Sequence, residues 1–199
     1  MRKIMLTARE KEYILRCFML SFEMQRLIAC SKTAPPGLLT KMAHALEKPI
    51  ERYPDKHVLL SLVSNPSLPE ETLRYLFESY KGAVEVRREL AGNEKTPPDI
   101  LEKFVADPAL TVRLALARNP AAPPEILAEI YQRIARTRAS RAIYVDILAT
   151  LASNPACTEE VLMGIVLTYG GRTDFMRAVN AARYHLKERR KEGGEADAV

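Results

Sequence analysis

Glycine is scarce in this sequence, with 8 residues among 199, and no stretch alternates Val, Ile or Thr with polar residues in the manner of a β-strand. Proline, by contrast, occurs 13 times. Short helices separated by proline-containing turns produce this combination, whereas a sheet does not. The hydrophobic fraction of 47% and the charged fraction of 28% allow a buried core. The sequence therefore predicts an all-α protein.

Long apolar runs and a signal peptide are also missing. The longest apolar stretch, residues 13–22, is interrupted by Arg16 and is shorter than the roughly 20 residues that a membrane-spanning helix needs. The first seven residues, MRKIMLT, lack the order of charged, apolar and small residues that marks a secretory signal. Cys17, Cys30 and Cys157 are odd in number and widely spaced, which argues against a disulfide framework. We therefore expect a cytoplasmic protein with no membrane partner.

Motifs that carry catalysis or bind a cofactor are absent from the sequence. His44, His57 and His185 have no partner at metal-ligand spacing, and there is no Cys-x-x-Cys pair, glycine-rich phosphate loop or Gly-x-Ser-x-Gly turn. The acidic pairs at 70–71 and 159–160 follow predicted helix starts, where negative charge is favourable. We therefore expect no catalytic residue, no metal site and no cofactor.

One phrase recurs five times along the chain. It runs from an apolar residue through Asn-Pro, or a related pair, to a restart that ends on leucine, as in LARNPAAPPEIL at 116–127. The copies span 28–39, 62–73, 90–101, 116–127 and 151–162. Their first residues are 34, 28, 26 and 35 positions apart, which is within the range of proteins that stack helical units. The sequence therefore predicts a repeat with a unit of variable length.

The recurring residues predict where helices end and begin. Four copies have an asparagine in the fourth position, and we expect each in the left-handed conformation just past a helix, which asparagine tolerates. These are Asn65, Asn93, Asn119 and Asn154. Four copies have a proline in the eighth position, and we expect it to be the first residue of the next helix, where no N–H is needed. These are Pro35, Pro69, Pro97 and Pro123.

Acidic and hydroxyl side chains predict further helix starts. Asp107 is expected to be the N-cap of a helix that begins with Pro108. The other N-cap candidates are Asp55, Ser140 and Thr173. Together the signals predict helices near 8–29, 36–47, 55–64, 69–79, 83–92, 97–106, 108–118, 123–135, 140–153, 158–169 and 173–191.

These helices predict one domain over residues 1–192. Short connections make neighbouring helices antiparallel, and each pair leaves an apolar face that the next pair covers. We expect an α-solenoid of about five helix pairs with capping helices at both ends. The N-terminal cap and a degenerate first repeat occupy 8–54, the repeats 55–170 and the C-terminal capping helix 173–191, and 193–199 form a disordered tail.

The stretch VRLALARNPAAPPEIL at 112–127 resembles the variant leucine-rich repeat, a bacterial relative in shape of HEAT and armadillo units. In that family a Val-Arg pair begins the unit, and Asn-Pro and a Pro-Glu-Val/Ile-Leu restart follow it. Val86-Arg87 also matches the Val-Arg start, and Asp107-Pro108 resembles the Asp-Pro pair between units of the family. The resemblance covers about residues 55–165 and implies a right-handed superhelix. The longer spacings here predict full α-helices where the family has short 3₁₀ helices. The iron–sulfur cluster of its best-known member is not expected, because Cys17 and Cys30 cannot supply the ligands.

Positive charge is uneven along the chain, whose net charge is +5 and pI about 9.1. The stretch 132–145 contains four arginines and no acid: Arg133, Arg136, Arg138 and Arg141. A second group has i, i+4, i+7 spacing on the final helix, although Glu188 and Glu192 dilute it: Arg183, Lys187 and Arg190. The structural interpretation is a solvated loop and a soluble cap. The functional interpretation is a surface that contacts the phosphates of a polyanion.

Three functions are compatible with these features. The first is a non-enzymatic scaffold for a protein or peptide partner, which follows from the repeat architecture. The alternative is a nucleic-acid-binding solenoid that uses the arginine-rich insertion at 133–141. An enzyme similar to the HEAT-like alkylpurine DNA glycosylases is disfavoured, because the chain has no tryptophan to hold a flipped base and no lone pocket carboxylate. The sequence does not specify an oligomeric state.

Overall fold

A computed structural model describes residues 22–46, 53–137 and 142–196. Within these ranges the secondary structure is helical and contains no strand, which confirms the all-α prediction. The helices are α1 (Phe22–Cys30), α2 (Pro36–Ala45), α3 (Tyr53–Val63), α4 (Glu70–Tyr80), α5 (Val84–Gly92), α6 (Pro98–Phe104), α7 (Leu110–Arg118), α8 (Pro124–Ala135), α9 (Ala142–Ala152), α10 (Glu159–Tyr169) and α11 (Met176–Ala196).

The predicted boundaries agree with these helices to within two residues, except at the two ends of the chain and at the start of α11, which begins at Met176 where 173 was predicted. The predicted start of the first helix, residue 8, lies outside the described residues. At the other end α11 continues to Ala196, so residues 193–196 are helical where the sequence predicted a disordered tail. The connections therefore follow the proline and asparagine signals, whereas the polar C-terminal segment extends the last helix.

Each copy of the repeat occupies the same place in the structure. The even-numbered helices α2 to α10 all begin at the ninth residue of a copy. The leucines at the first and twelfth positions are fully buried, each contributing roughly 1.5–3 kcal/mol to folding. They are Leu62, Leu90, Leu116 and Leu151 at the first position, and Leu39, Leu73, Leu101, Leu127 and Leu162 at the twelfth. The repeat is therefore a packing unit in which a fixed segment joins an odd helix to an even one.

The restart prolines lie one residue earlier than predicted. Pro35, Pro97 and Pro123 are N-cap residues with ψ of 129°, 142° and 141°, and the proline after each takes the first helical position. Pro69 is also an N-cap residue, with ψ of 147°, although Glu70 and not a proline follows it. At Pro35, Pro97 and Pro123 the following proline ring disfavours the helical conformation in the residue before it, but Pro69 takes the same position without this effect. The carbonyl of such a proline still accepts the first helical hydrogen bonds; the Pro97 carbonyl accepts from the N–H groups of Ile100 and Leu101.

The prediction of left-handed asparagines was wrong at Asn93 and Asn119. Asn93 has φ −80° and ψ 122°, and Asn119 has φ −67° and ψ 115°, which are extended conformations. Both side chains are buried. The Asn119 amide donates to the carbonyls of Ala91 at 3.0 Å and Asn93 at 3.1 Å, and its oxygen accepts from the Ala121 N–H at 2.9 Å. The Asn119 side chain therefore joins its own repeat to the preceding one by hydrogen bonds.

The same three hydrogen bonds recur at every asparagine of the repeat, and we call the series the asparagine ladder. Asn65 donates to Ala29 and Ser31, and Asn154 to Ala117 and Asn119. Asn93 donates to Val63 and Asn65. Each carboxamide oxygen accepts from the N–H two residues later, at 2.8–2.9 Å. The ladder links consecutive copies from 28–39 to 151–162, and Ser31 occupies the asparagine position of the first.

Asp107 joins two repeats and is not the N-cap of α7. Its carboxylate accepts from the Ala109 N–H at 2.8 Å and from Arg87 Nε at 2.6 Å, while its carbonyl accepts from Arg113 Nε at 2.7 Å. Both side chains of the Arg87–Asp107 ion pair are largely buried. The residue directly before α7 is Ala109, because the Asp107 hydrogen bond closes a turn ahead of the helix.

The other N-cap candidates have different positions from those predicted. Asp55 lies inside α3, which begins at Tyr53. Thr173 is the first residue of a 3₁₀ turn, Thr173–Phe175, that leads into α11. Ser140 lies outside the described residues.

The odd-numbered helices pack in sequence, α1 against α3, α3 against α5, α5 against α7, α7 against α9 and α9 against α11. Even-numbered helices pack against one another at α2–α4 and α8–α10. The buried side chains lie between these two sets of helices, with Phe104 and Phe175 among the largest. The odd helices therefore form one principal surface of the protein with their sides that face away from the core. The even helices form the other in the same way.

Candidate protein-binding face

Two of the four arginines of the 133–141 segment, Arg133 and Arg136, lie among the described residues. Arg133 makes an ion pair with Glu129, one turn earlier on α8, with Nε at 2.9 Å and Nη2 at 2.7 Å from Oε1. Arg136 follows the last residue of α8 and is exposed. Arg138 and Arg141 lie outside the described residues. Part of the predicted charge is therefore neutralised by an acid just outside the stretch considered.

The second predicted group lies on α11, where Arg183, Lys187 and Arg190 are exposed. The Arg183 guanidinium reaches the C-terminal end of α10; its Nη2 lies 3.8 Å from the position of a β-carbon built at Gly170. A cation at this place compensates the partial negative charge of a helix C-terminus. Arg183 therefore also has a structural explanation, whereas Lys187 and Arg190 extend further along the helix.

A partly exposed surface crosses the odd helices, and we call it the odd-helix face. It includes Ser64 directly after α3, Glu89 on α5, Ala115 on α7, Thr150 on α9 and Arg177 on α11. Contacts between neighbouring helices define it: Ser64 Oγ donates to Glu89 Oε2 at 2.8 Å, and Arg177 Nη1 lies 3.0 Å from Asp146 Oδ1. Gly92 and Ala115 bring α5 and α7 close together.

The α3–α5 part of the odd-helix face has an open concavity of about 390 Å³ that Ser64 and Glu89 help to line, with ion pairs on the same two helices. Lys56 Nζ lies 2.6 Å from Glu85 Oε1, and Arg88 Nη2 lies 2.7 Å from Glu89 Oε1. The hydrogen bond from Lys56 holds the pKa of Glu85 below its ordinary value. These paired charges satisfy one another and leave little unbalanced charge for a partner.

The α7–α9–α11 part of the face also forms an open cleft, of about 300 Å³. Its floor consists of small residues: Ala149, Thr150, Ser153 and Ala181. Arg118, in the last turn of α7, and Arg177, on α11, stand at its rim. The Asn154 amide also lines the cleft, but its N–H groups bind the preceding repeat.

The polar groups that line the cleft are hydroxyl, amide and guanidinium groups. The Ser153 hydroxyl donates to the Ala149 carbonyl at 3.0 Å, and no histidine, cysteine or carboxylate is among the residues that line the cleft to act as a base. Two guanidinium groups above small side chains leave space for a protruding side chain with a carboxylate, the group that arginine binds best in proteins.

Another concave surface lies between the even helices α8 and α10, and we call it the α8–α10 groove. It has a volume of about 640 Å³, with Tyr131 on one side and Met163, Gly164 and Leu167 on the other. Leu167 is 80% exposed and Met163 44% exposed. The Tyr131 hydroxyl lies 3.0 Å from Thr168 Oγ1, and its ring lies so close to Gly164 that a β-carbon there would be 2.6 Å from the oxygen.

The sequence did not indicate the cleft or the α8–α10 groove. The cleft is built from residues more than 60 positions apart that have no shared motif. The only sequence feature near the groove is the apolar run MGIVL at 163–167 in α10. The sequence alone does not show which of these five residues are exposed and which are buried.

Two further properties concern the described residues alone. No set of three or more His, Cys, Asp or Glu side chains in these ranges is arranged to hold a metal ion. Across the same residues, no helix has the length and apolar character that crossing a membrane requires.

No family model matches the sequence, and no curated protein or solved structure shows significant similarity to it. The resemblance to the variant leucine-rich repeat therefore stays a prediction.

Proposed function

We propose that this chain is a non-enzymatic scaffold that binds a protein partner on the odd-helix face. The proposal includes the right-handed α-solenoid implied by the resemblance, with the copies of the repeat stacked in one direction. The asparagine ladder supports stacking, because each rung joins one copy to the next by the same hydrogen bonds. A stack of this kind aligns the exposed sides of successive odd helices into one extended surface.

The α7–α9–α11 cleft is the observation that carries the proposal. Small residues on and directly after α9 and on α11 line a depression, and Arg118 of α7 and Arg177 of α11 line it as well. Arginine is enriched at the centre of protein interfaces because it combines charge, hydrogen bonding and an apolar stem. The partner is expected to insert an acidic side chain next to Arg118, because Arg177 already contacts Asp146.

The test compares captured partners between matched variants. The full-length chain is immobilised and exposed to a nuclease-treated lysate of the native host, and bound proteins are identified by mass spectrometry. Arg118→Glu reverses the rim charge, and Thr150→Trp fills the cleft. We expect a partner that both variants lose and that Arg190→Glu, a charge reversal on α11 outside the cleft, retains. If both cleft variants capture the same proteins as the wild type, the odd-helix face is not the binding surface.

Nucleic-acid binding is the second function that a specific observation favours. Arg136, Lys187 and Arg190 are exposed, and the ion pairs among the described residues do not include them. Exposed cations of this kind release counterions when they contact phosphates, so binding should weaken steeply with salt. Reversing Arg136, Lys187 and Arg190 together should abolish salt-sensitive retention on DNA or RNA; unchanged retention would exclude this alternative.

A further inference from the structure

The α8–α10 groove is open where the equivalent place earlier in the chain holds an arginine. Between α4 and α6, Arg74 makes ion pairs with Glu70 on its own helix at 2.9 Å and with Asp99 on the next even helix at 2.6 Å. Arg74 is the thirteenth residue counted from the start of its repeat copy, and the residue at this position on α8 is Ala128. The side chain that crosses from α4 to α6 is therefore reduced to a methyl group between α8 and α10.

The loss of this arginine leaves acidic side chains without a cation. Glu160 is the tenth residue of its copy, the position of the carboxylate that Arg74 reaches, Asp99. Glu159 and Glu160 are exposed and line the groove, and the ion pairs that the described residues make include neither of them. Among the described residues that line the groove there is no lysine or arginine. The N-terminus of α10 offsets roughly half of one negative charge, so this end of the groove stays acidic.

Apolar side chains continue the groove beyond its acidic end. Glu160, Met163 and Leu167 have the spacing i, i+3, i+7 of one helix face. The positions of Met163 and Leu167 in the repeat are occupied on α4 by Arg74 and Glu78, each of which makes an ion pair. The repeat itself therefore does not require apolar residues here. Adjacent exposed apolar side chains of this size mark interaction surfaces in soluble proteins.

We propose that the α8–α10 groove binds a basic amphipathic helix from a partner protein. A lysine or arginine of that helix pairs with Glu160, as Arg74 does with Asp99, and its apolar side chains cover Met163 and Leu167. Such helices bind in grooves through anchor residues at i, i+3, i+4 and i+7. A groove with one acidic end and an apolar remainder selects a helix that has both basic and apolar side chains on one face.

The size of the groove indicates a peptide segment as its occupant. Its volume of about 640 Å³ is within the range of sites that enclose a group of a few side chains. Helix α10 has 11 residues and is about 17 Å long, which matches about three turns of a bound helix. Two folded domains bury a larger surface in a specific complex. The occupant is therefore a single helix.

The first experiment measures the binding of a synthetic peptide to the full chain by isothermal titration calorimetry. The peptide is a helix of about 14 residues with leucines at i, i+3, i+4 and i+7 and lysines beside them, and its control has glutamates in place of the lysines. The wild type should bind the lysine peptide at least about tenfold more tightly than the glutamate peptide. The net charge of +5 disfavours a basic ligand, so this preference reports the local charge of the groove. Equal affinity for the two peptides, or no binding at about 500 µM, overturns the proposal.

The second experiment locates the bound peptide by charge. Ala128→Arg places an arginine at the position that Arg74 has on α4, so it should pair with Glu160, fill the groove and raise the dissociation constant of the lysine peptide at least about tenfold. Glu160→Lys should raise it about threefold to tenfold. Glu71→Lys is the matched control, because Glu71 is exposed at the same position of copy 62–73, and it should leave the dissociation constant unchanged. An equal effect of Glu160→Lys and Glu71→Lys overturns the proposal.

The third experiment tests the apolar contact and separates this groove from the odd-helix face. Leu167→Ser should raise the dissociation constant of the lysine peptide at least about fivefold, because the contact with the leucines of the peptide is lost. Val84→Ser, which changes an exposed apolar residue at the start of α5, should leave it unchanged. Arg118→Glu, in the cleft of the odd-helix face, should also leave it unchanged, whereas Leu167→Ser should not alter capture of the partner that binds there. Peptide binding that Leu167→Ser does not weaken overturns the proposal.

Discussion

Replacing Asn119 by alanine should lower the free energy of unfolding by more than the replacement of an exposed residue does. Asn119 is 1% exposed and makes three hydrogen bonds, two as donor to the preceding repeat and one as acceptor within its own turn. Alanine removes all three bonds at once. The Asn93 carbonyl keeps a second donor, the Thr96 N–H at 3.0 Å, and the Ala121 N–H can reach water because Ala121 is exposed.

The magnitude follows from these contacts. Three hydrogen bonds at about 0.5–1.5 kcal/mol each give roughly 1.5–4.5 kcal/mol. The Ala91 carbonyl belongs to a buried residue at the end of α5 and loses its side-chain donor, and the void left by the amide adds to the cost. We expect a total loss of about 3–5 kcal/mol, equivalent to a fall in Tm of roughly 6–20 °C for a chain of this size.

Urea unfolding followed by circular dichroism at 222 nm provides the measurement. Asn180→Ala is the matched control, because Asn180 is exposed on α11, and it should change the free energy of unfolding by less than about 0.5 kcal/mol. Asn119→Asp keeps the shape of the side chain but replaces the donating amide by a carboxylate oxygen that faces two carbonyls, so it should destabilise at least as much as alanine. A loss below about 1 kcal/mol for both Asn119 variants would refute the ladder as a stabilising element.

Three further predictions test other contacts. Gly164→Ala should cost about 1–3 kcal/mol in urea unfolding, because the new β-carbon meets the Tyr131 ring, and should cost nothing in a Tyr131→Ala background. Arg87→Met should cost about 3–5 kcal/mol by the same assay, because it leaves the buried Asp107 carboxylate without its cation, and a cost near zero would contradict this pairing. Burial raises the pKa of Cys157 to about 11, so folding favours the protonated thiol. The free energy of unfolding of the wild type should therefore fall relative to that of Cys157→Ala as the pH rises from 9 to 11. Equal pH profiles of the two proteins would contradict this burial.

The sequence predicted the helices well because the signals that set them are local. Proline fixes its own φ and restricts the backbone of the residue before it. The leucines recur at fixed positions, so they indicate which side of each helix is buried. Burial of Leu62 and Leu73 could therefore be anticipated from one copy and repeated in the others. The one-residue error at the restart prolines is the same at Pro69, which Glu70 follows, as at the three prolines that a second proline follows, so the restriction on the residue before proline explains only part of it.

The role of the asparagines could not be predicted from local preference. Asparagine tolerates the left-handed conformation, and that property was sufficient to explain its place after each helix. In the structure it serves a contact to residues 26–37 positions earlier, which only the stacking of repeats creates. Aspartate and serine are also common at turns, but neither offers two donors and an acceptor in one planar group. The strict recurrence of asparagine was the available signal for a long-range role.

The candidate surfaces depended even more on packing. The arginine-rich segment was defined by the lack of acid in 132–145, yet Glu129 lies one helical turn before Arg133 and pairs with it. The cleft is lined by Ala149 and Thr150 of α9 together with Ala181 of α11, and such a combination has no pattern within any one helix. Surfaces made by several helices therefore need the structure, even where each helix is predictable.

The uneven spacing of the repeat follows from what the ladder constrains. From the first to the twelfth residue every copy has the same length, because this segment contains the rung asparagine and sets the start of the even helix. The connection from an even helix to the next odd helix contributes to no rung, so its length can vary at small entropic cost. The two long spacings, 34 and 35, include 47–52 and 136–141, which follow α2 and α8. Residues 138–141 are thus additional length in a connection that contributes to no rung, and deleting them should leave the ladder and its stability intact while removing two of the four arginines.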